Sequence, residues 1–246
     1  TLTDSGSNVA PNVNTSAPQT FTITVSAIND VPSFMVGSNQ TVDEDSGAQT
    51  VNPWATAVTD GDPEITQALT FNITNNTNAA LFSVAPSVSP TGVLTYTPAA
   101  NANGTATITL SLSDDGSNVA PNVNTSATQS FSITVTSVND APSFVVGPNQ
   151  TVNEDAGAQT VNPWATAISP GPADEAAQTV SFAVTGNSNA ALFSLAPSIS
   201  PTGVLTYTPA ANASGTATIT LTLTDSGSNV APNVNTSAPQ TFTITV

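Results

Sequence analysis

The chain has 246 residues, 38% of them hydrophobic, with sixteen Asp and Glu and no Lys, Arg or His, for a net charge of −16. Nucleic acid and anionic membrane surfaces are excluded as partners, because both need cationic side chains to neutralise phosphate. With Cys also absent, no Ser-His-Asp triad, Cys-His pair, Schiff base, or imidazole or thiolate metal ligand can be assembled. Only carboxylate chemistry of the two-acid glycosidase kind remains open, and the chain is expected not to be an enzyme.

Residues 1–25 open the chain with a stretch that returns unchanged at 222–246 and, with several differences, at 111–135. They are expected to be the C-terminal part of a truncated upstream repeat. "SFMVGSNQTVDEDSGAQTVNPWATA" at 33–57 returns at 143–167, a shift of 110, and "PTGVLTYTPAANANGTATITL" at 90–110 returns at 201–221, a shift of 111. One repeat is therefore expected over 26–135 and a second over 136–246. The identity of the first and last segments fits two alternating units with a period of 221 residues, or recent duplication that left some copies more alike. No apolar run reaches the roughly 18–20 residues of a membrane-spanning helix.

Within a repeat the hydrophobic period is two. "LTFNIT" (69–74) alternates Leu69, Phe71 and Ile73 with polar residues; "TATITLSLSD" (105–114) does so with Ala106, Ile108, Leu110 and Leu112; "SFSITVTSV" (130–138) with Phe131, Ile133 and Val135. Such alternation gives a strand one buried and one wet face. Pro, Gly and Asn clusters ("VNPW", "SPTG", "PAANANG", "DDGSNVAPNVN") punctuate the strands. About seven short strands per repeat, with one Trp near the second, predict an all-β fold of antiparallel Greek-key sandwiches. Trp54 and Trp164 are assigned to the core. Tyr96 and Tyr207, in "LTYTP", can face either way.

The acids gather in turns and at strand ends: Asp30; Asp43, Glu44 and Asp45; Asp60, Asp62 and Glu64; Asp114 and Asp115; then Asp140; Glu154 and Asp155; Asp174 and Glu175; Asp225. Asp4 belongs to the first segment. None has a basic side chain to pair with, so each cluster is either hydrated or neutralised by a metal. Hard oxygen donors alone favour Ca2+.

These stretches resemble cadherin-like and Ig-like tandem repeats of giant bacterial surface proteins and adhesins. "INDVPSF" (28–34) and "VNDAPSF" (138–144) resemble the linker of that family and its first strand; "VDEDSG" and "VNEDAG" resemble the turn whose Glu is a ligand. "ATAVTDGDPEITQALTFNIT" (55–74) resembles the Asp-x-Asp segment, and "LSLSDDG" and "LTLTDSG" the strand ending in a ligand Asp. The resemblance implies sandwiches arranged end to end with Ca2+ at their junctions. Carried over, the junction between the two repeats would use Glu44, Asn139, Asp140 and Asp225, and the one before the first repeat Asn29, Asp30, Asp60, Asp62 and Asp114. The chain departs from the pattern: "PAANANG" and "PAANASG" replace the Asp-Arg-Glu stretch, Ala27 or Ser137 replaces the first linker Asp, and "SPGPADE" replaces "TDGDPE". Between zero and two ions per junction are expected.

The resulting expectation is a structural extender or stalk repeat of a long extracellular, bacterial surface protein or filament. Its partners would be neighbouring repeats and copies of itself in a fibre. The alternative is a carbohydrate-binding or homophilic adhesion module with polysaccharide as partner. The loop "GSNVAPNVNTSA", present three times, is either a lateral contact between stalks or a plain loop. Asn14, Asn103 and Asn212 head Asn-x-Ser/Thr sequons, which a Thr- and Asn-rich chain also makes by chance.

Overall fold

The computed structural model describes residues 1–246. Two sets of strands follow one another. The first comprises β1 (Ser33–Met35), β2 (Gln40–Asp43), β3 (Gln49–Val51), β4 (Thr56–Thr59), β5 (Thr70–Asn76), β6 (Phe82–Val88), β7 (Leu94–Pro98), β8 (Gly104–Ser113) and β9 (Gln129–Thr136). The second comprises β10 (Ser143–Val145), β11 (Gln150–Thr151), β12 (Gln159–Val161), β13 (Thr166–Ser169), β14 (Val180–Asn187), β15 (Phe193–Ile199), β16 (Leu205–Pro209), β17 (Thr216–Asp225) and β18 (Gln240–Thr245). No helix is long and apolar enough to cross a membrane.

In the first set a four-stranded sheet, β2-β9-β8-β5, faces a three-stranded one, β3-β7-β6, and β1 pairs with β4. The second set repeats this as β11-β18-β17-β14, β12-β16-β15 and β10-β13. Neighbours run antiparallel except that β2 lies parallel to β9, and β11 to β18. The chain leaves β1 beside β4 and then joins the four-stranded sheet alongside its last strand in sequence, β9.

The period-two pattern places the core. Ala106, Ile108, Leu110 and Leu112 of β8 are wholly buried while the intervening Thr and Ser lie on the other face. Cross-strand pairs such as Ile108 with Phe131 and Ala106 with Ile133 lock β8 to β9 through one apolar face. Trp54 rests on Phe131 with ring centroids 4.3 Å apart, and Trp164 rests on Phe242 at 4.3 Å. Each indole N–H donates to a carbonyl, Ser38 or Pro148, at 3.0 Å, so the buried nitrogen is satisfied. The cores hold 15 and 14 buried residues with none in common, so each sandwich closes on itself.

Tyr96 and Tyr207 face inward, 2% and 1% exposed, and burial pushes both phenols up. They offer no exposed ring for a sugar to stack on.

Residues 1–25 show how far context decides. Phe242 and Ile244 are buried in β18, yet Phe21 and Ile23 of the identical segment are 85% and 76% exposed and lie in no strand. Local propensity is the same in both copies. Only the later copy has neighbours such as β11 and β17 to pair with.

Candidate functional site

The polar site lies where the second sandwich begins, around the linker residues Val138, Asn139 and Asp140. Asn139 is 7% exposed and is gripped by its own sandwich. Its backbone N–H donates to Asn233 Oδ1 at 2.7 Å, and its carbonyl accepts from the Val234 N–H at 2.8 Å. Its Nδ2 donates to Asp225 Oδ1 at 3.1 Å and to the Val234 carbonyl at 2.9 Å, while its Oδ1 accepts from Gln178 Nε2 at 2.6 Å. The two acceptors, one carboxylate oxygen and one backbone carbonyl, fix which end of the amide is nitrogen.

The first sandwich repeats the arrangement. Asn29 donates from its backbone to Asn122 Oδ1 at 2.7 Å, and from Nδ2 to Asp114 Oδ1 at 3.1 Å and the Val123 carbonyl at 3.0 Å. Asn29 Oδ1 accepts from Gln67 Nε2. The loop "GSNVAPNVNTSA" folds back to hold the linker ahead of its own sandwich. Gly116 and Gly227 make this approach feasible, since a Cβ at either would collide with the Oδ1 of Asn29 or Asn139.

A second set of contacts ties the linker to the preceding sandwich. Glu44, in the turn after β2, is 3% exposed; its N–H donates to the Thr136 carbonyl at 2.9 Å and its Oε1 accepts from the Val138 N–H at 2.7 Å. Asn103, just before β8, donates from Nδ2 to Glu44 Oε2 at 3.4 Å and to Asp174 Oδ2 of the second sandwich at 3.0 Å. Glu175, 5% exposed, accepts from the Asp140 N–H at 2.7 Å. Glu154, the counterpart of Glu44 in the second repeat, is exposed.

The buried carboxylates are therefore met by amide N–H dipoles rather than by cations, which limits the desolvation cost of their charge. The compensation is incomplete. Burial, then the nearby charges of Asp45 and Asp174, push the Asp140 carboxyl up. Burial also pushes Glu175 up, against the hydrogen bond from Asp140, with the charges of Asp140, Asp174 and Asp225 adding to the rise.

The sequence-predicted residues separate into two groups. Asn139 meets Asp225, and Asn29 meets Asp114. Glu44 reaches the linker at Val138, and Asp140 contributes its backbone N–H to Glu175. In the first sandwich Asp62, 9% exposed, accepts from Gln67 Nε2 at 3.3 Å, and Asp60 Oδ2 accepts from the Gln67 N–H at 2.8 Å, whereas Asp30 is exposed. Glu44 and Asp225 share no partner. The sequence pattern noted Asn103 only as a sequon and Asp174 and Glu175 only as an acid cluster, without assigning them to the junction, and it did not mark the pairs Gln67/Gln178 and Asn122/Asn233. The signal was present: both pairs recur at the shift of 111, but they are uncharged.

The donor set suits Ca2+ in kind, being oxygen throughout. Asp225 Oδ2, Glu175 Oε2 and the Gln178 carboxamide oxygen are buried without a hydrogen-bond partner, as are Asp114 Oδ2 and the Gln67 oxygen in the first sandwich. No three carboxylates stand close enough to hold an ion between them. A cation here would draw on carboxamide oxygens and water as well as on one or two carboxylates.

No family model matches the chain, and no curated protein sequence matches it. Solved structures similar to it are cadherin ectodomain repeats. Human protocadherin-24 EC1-2 is 18% identical over 89% of this chain and 98% of its own, with a TM-score of 0.47. Human CDH23 EC21-23 is 17% identical over 88% of this chain and 64% of its own, with a TM-score of 0.46. Human mucin-like protocadherin EC1-2 is 18% identical over 87% and 97%, with a TM-score of 0.43.

Proposed function

We propose that the chain is a run of extender repeats from a long extracellular surface protein of a bacterium, with 26–135 and 136–246 as repeats and 1–25 belonging to a third. One observation carries the reading: the three-residue stretch Val138–Asp140 is hydrogen-bonded on one side to Glu44 and on the other to Asn233, Val234, Asp225, Gln178 and Glu175. A linker this short and this fully engaged has no slack. Its product is a fixed spacing between rigid bodies, and residues that carry out a reaction are not needed for that.

Ca2+ is part of the proposal. The ion would sit against Asp225, Glu175, Gln178 and Asn139, with Glu44 and Asp140 nearby, and in the first repeat against Asn29, Asp62, Asp114 and Gln67, with Asp30 and Asp60 nearby. When bound it would supply positive charge to a seam that has none. The protein residues orient the linker with or without it.

A thermal melt in excess Ca2+ and then in chelator tests the ion, because a ligand at a hundredfold its dissociation constant stabilises the folded state by about 2.7 kcal/mol. An unchanged midpoint removes the ion from the proposal. Small-angle scattering tests the extender: an elongated particle is expected, and a compact one rules it out.

A further inference from the structure

Asn103 is followed by Gly104, and this is the only Asn-Gly pair in the chain. Glycine has no side chain to shield its amide, so the Gly104 nitrogen can close on the Asn103 carboxamide carbon. The new C–N bond makes a succinimide, and the Asn103 Nδ2 leaves as ammonia with the proton that the Gly104 amide gives up. Water then opens the ring at one carbonyl to give Asp, or at the other to give isoaspartate. Asn103 is exposed to that water, and Gly104, the first residue of β8, has a φ of 129°, where only glycine moves freely.

The position gives this chemistry a consequence. The nitrogen lost is the atom that donates to both Glu44 Oε2 and Asp174 Oδ2, one from each sandwich. We propose that Asn103–Gly104 is a spontaneous deamidation site whose modification turns a hydrogen-bonded bridge between the sandwiches into a three-way contact of carboxylates. No cationic side chain exists to relieve it. The isoaspartate product also adds a backbone atom at the start of β8. The second repeat places Ser214 before Gly215 at the corresponding site and is inert to this reaction. Asn139, followed by Asp140, is buried and held on every side, so it is protected.

The test has two parts. The whole chain is aged at mildly alkaline pH and peptide mass spectrometry follows the exchange of ammonia for water at each Asn; Asn103 is expected to convert ahead of all others. Conversion elsewhere first overturns the proposal. The seam is then read by spin labels on Thr74→Cys and Thr185→Cys, equivalent exposed strand positions in a chain with no cysteine of its own. In chelator, so that the result does not depend on an ion, the inter-label distance distribution is expected to broaden on ageing and in Asn103→Asp, and less so in Asn103→Ser. An unmodified chain already as broad as Asn103→Asp, or a serine variant as broad as the aspartate one, overturns the proposal.

Discussion

Asn139 Nδ2 meets Asp225 Oδ1 at 3.1 Å, and both side chains are buried, at 7% and 5% exposure. In a chain without a single basic side chain, a neutral amide takes the place that an Arg or Lys would occupy beside a buried acid. Asn139→Ala removes one of the two donors to Asp225 Oδ1, leaving only the Gly227 N–H at 2.7 Å, and losing a hydrogen bond to a charged group costs about 1.5–3 kcal/mol. Urea unfolding should show the second sandwich weakened by that amount, with Asn139→Asp worse because it sets two carboxylates together. An unchanged midpoint in both would show the contact to be idle.

Glu44 offers a separate handle on the seam, since it lies outside both apolar cores. Glu44→Ala should leave the core strands protected but release the Val138 N–H, whose hydrogen exchange would accelerate while that of Ile108 and Leu110 stays slow. Glu44→Gln keeps an oxygen for the Val138 N–H and should behave nearly as the parent. Equal exchange at Val138 in the alanine variant and the parent would contradict the assigned contact.

Gly227→Ala places a methyl group where Asn139 Oδ1 sits. The linker must then retreat from its own sandwich, with a loss of about 1–3 kcal/mol expected for overpacking. The Gln178–Asn139 hydrogen bond should be lost with it. Amide side-chain NMR signals of Asn139 and Gln178 are the readout, and their persistence unchanged would be the adverse result.

Acid should strengthen the seam. The carboxyls of Asp140 and Glu175 are both pushed up on folding, chiefly by burial. The folded chain therefore holds their protons more tightly than the unfolded one. The stabilising contribution is fully present below the ordinary carboxylate range and is lost as pH rises through the raised values. The melting midpoint should fall from mild acid towards neutrality, and the fall should shrink in the double variant Asp140→Asn, Glu175→Gln. A midpoint that rises with pH over that window would reverse the assignment.

The fold was legible because each strand announces itself by strict alternation. Ala106, Ile108, Leu110 and Leu112 could be assigned to one face before any coordinate was known, and Trp54 to the core. The parallel pairing of β2 with β9 was not legible, since pattern tells which face is buried but not which way a crossing strand then runs. At the site, Asn29, Asn139, Asp114 and Asp225 were singled out through family likeness as ligands, and they stand together as hydrogen-bonded pairs. Gln178, Asn233 and Asn103 were not, because a neutral amide looks like any polar turn residue until its partner is placed beside it. Glu175 was seen as part of an acid cluster but not assigned to the junction, because the one-residue offset between the repeats moved the buried carboxylate of that loop from Asp62 in the first to Glu175 in the second.

The parallel strands settle how the molecule would answer a pull. Because the earliest strand of the large sheet and the last one run the same way, drawing the two ends of a sandwich apart loads their shared hydrogen bonds sideways and together, not one after another as in an opening zip. The first sandwich has four residue pairs in that ladder, Gln40 with Ile133 through Asp43 with Thr136. Under tension the first sandwich should therefore hold until that ladder gives way at once, a single sharp peak in a single-molecule stretching trace.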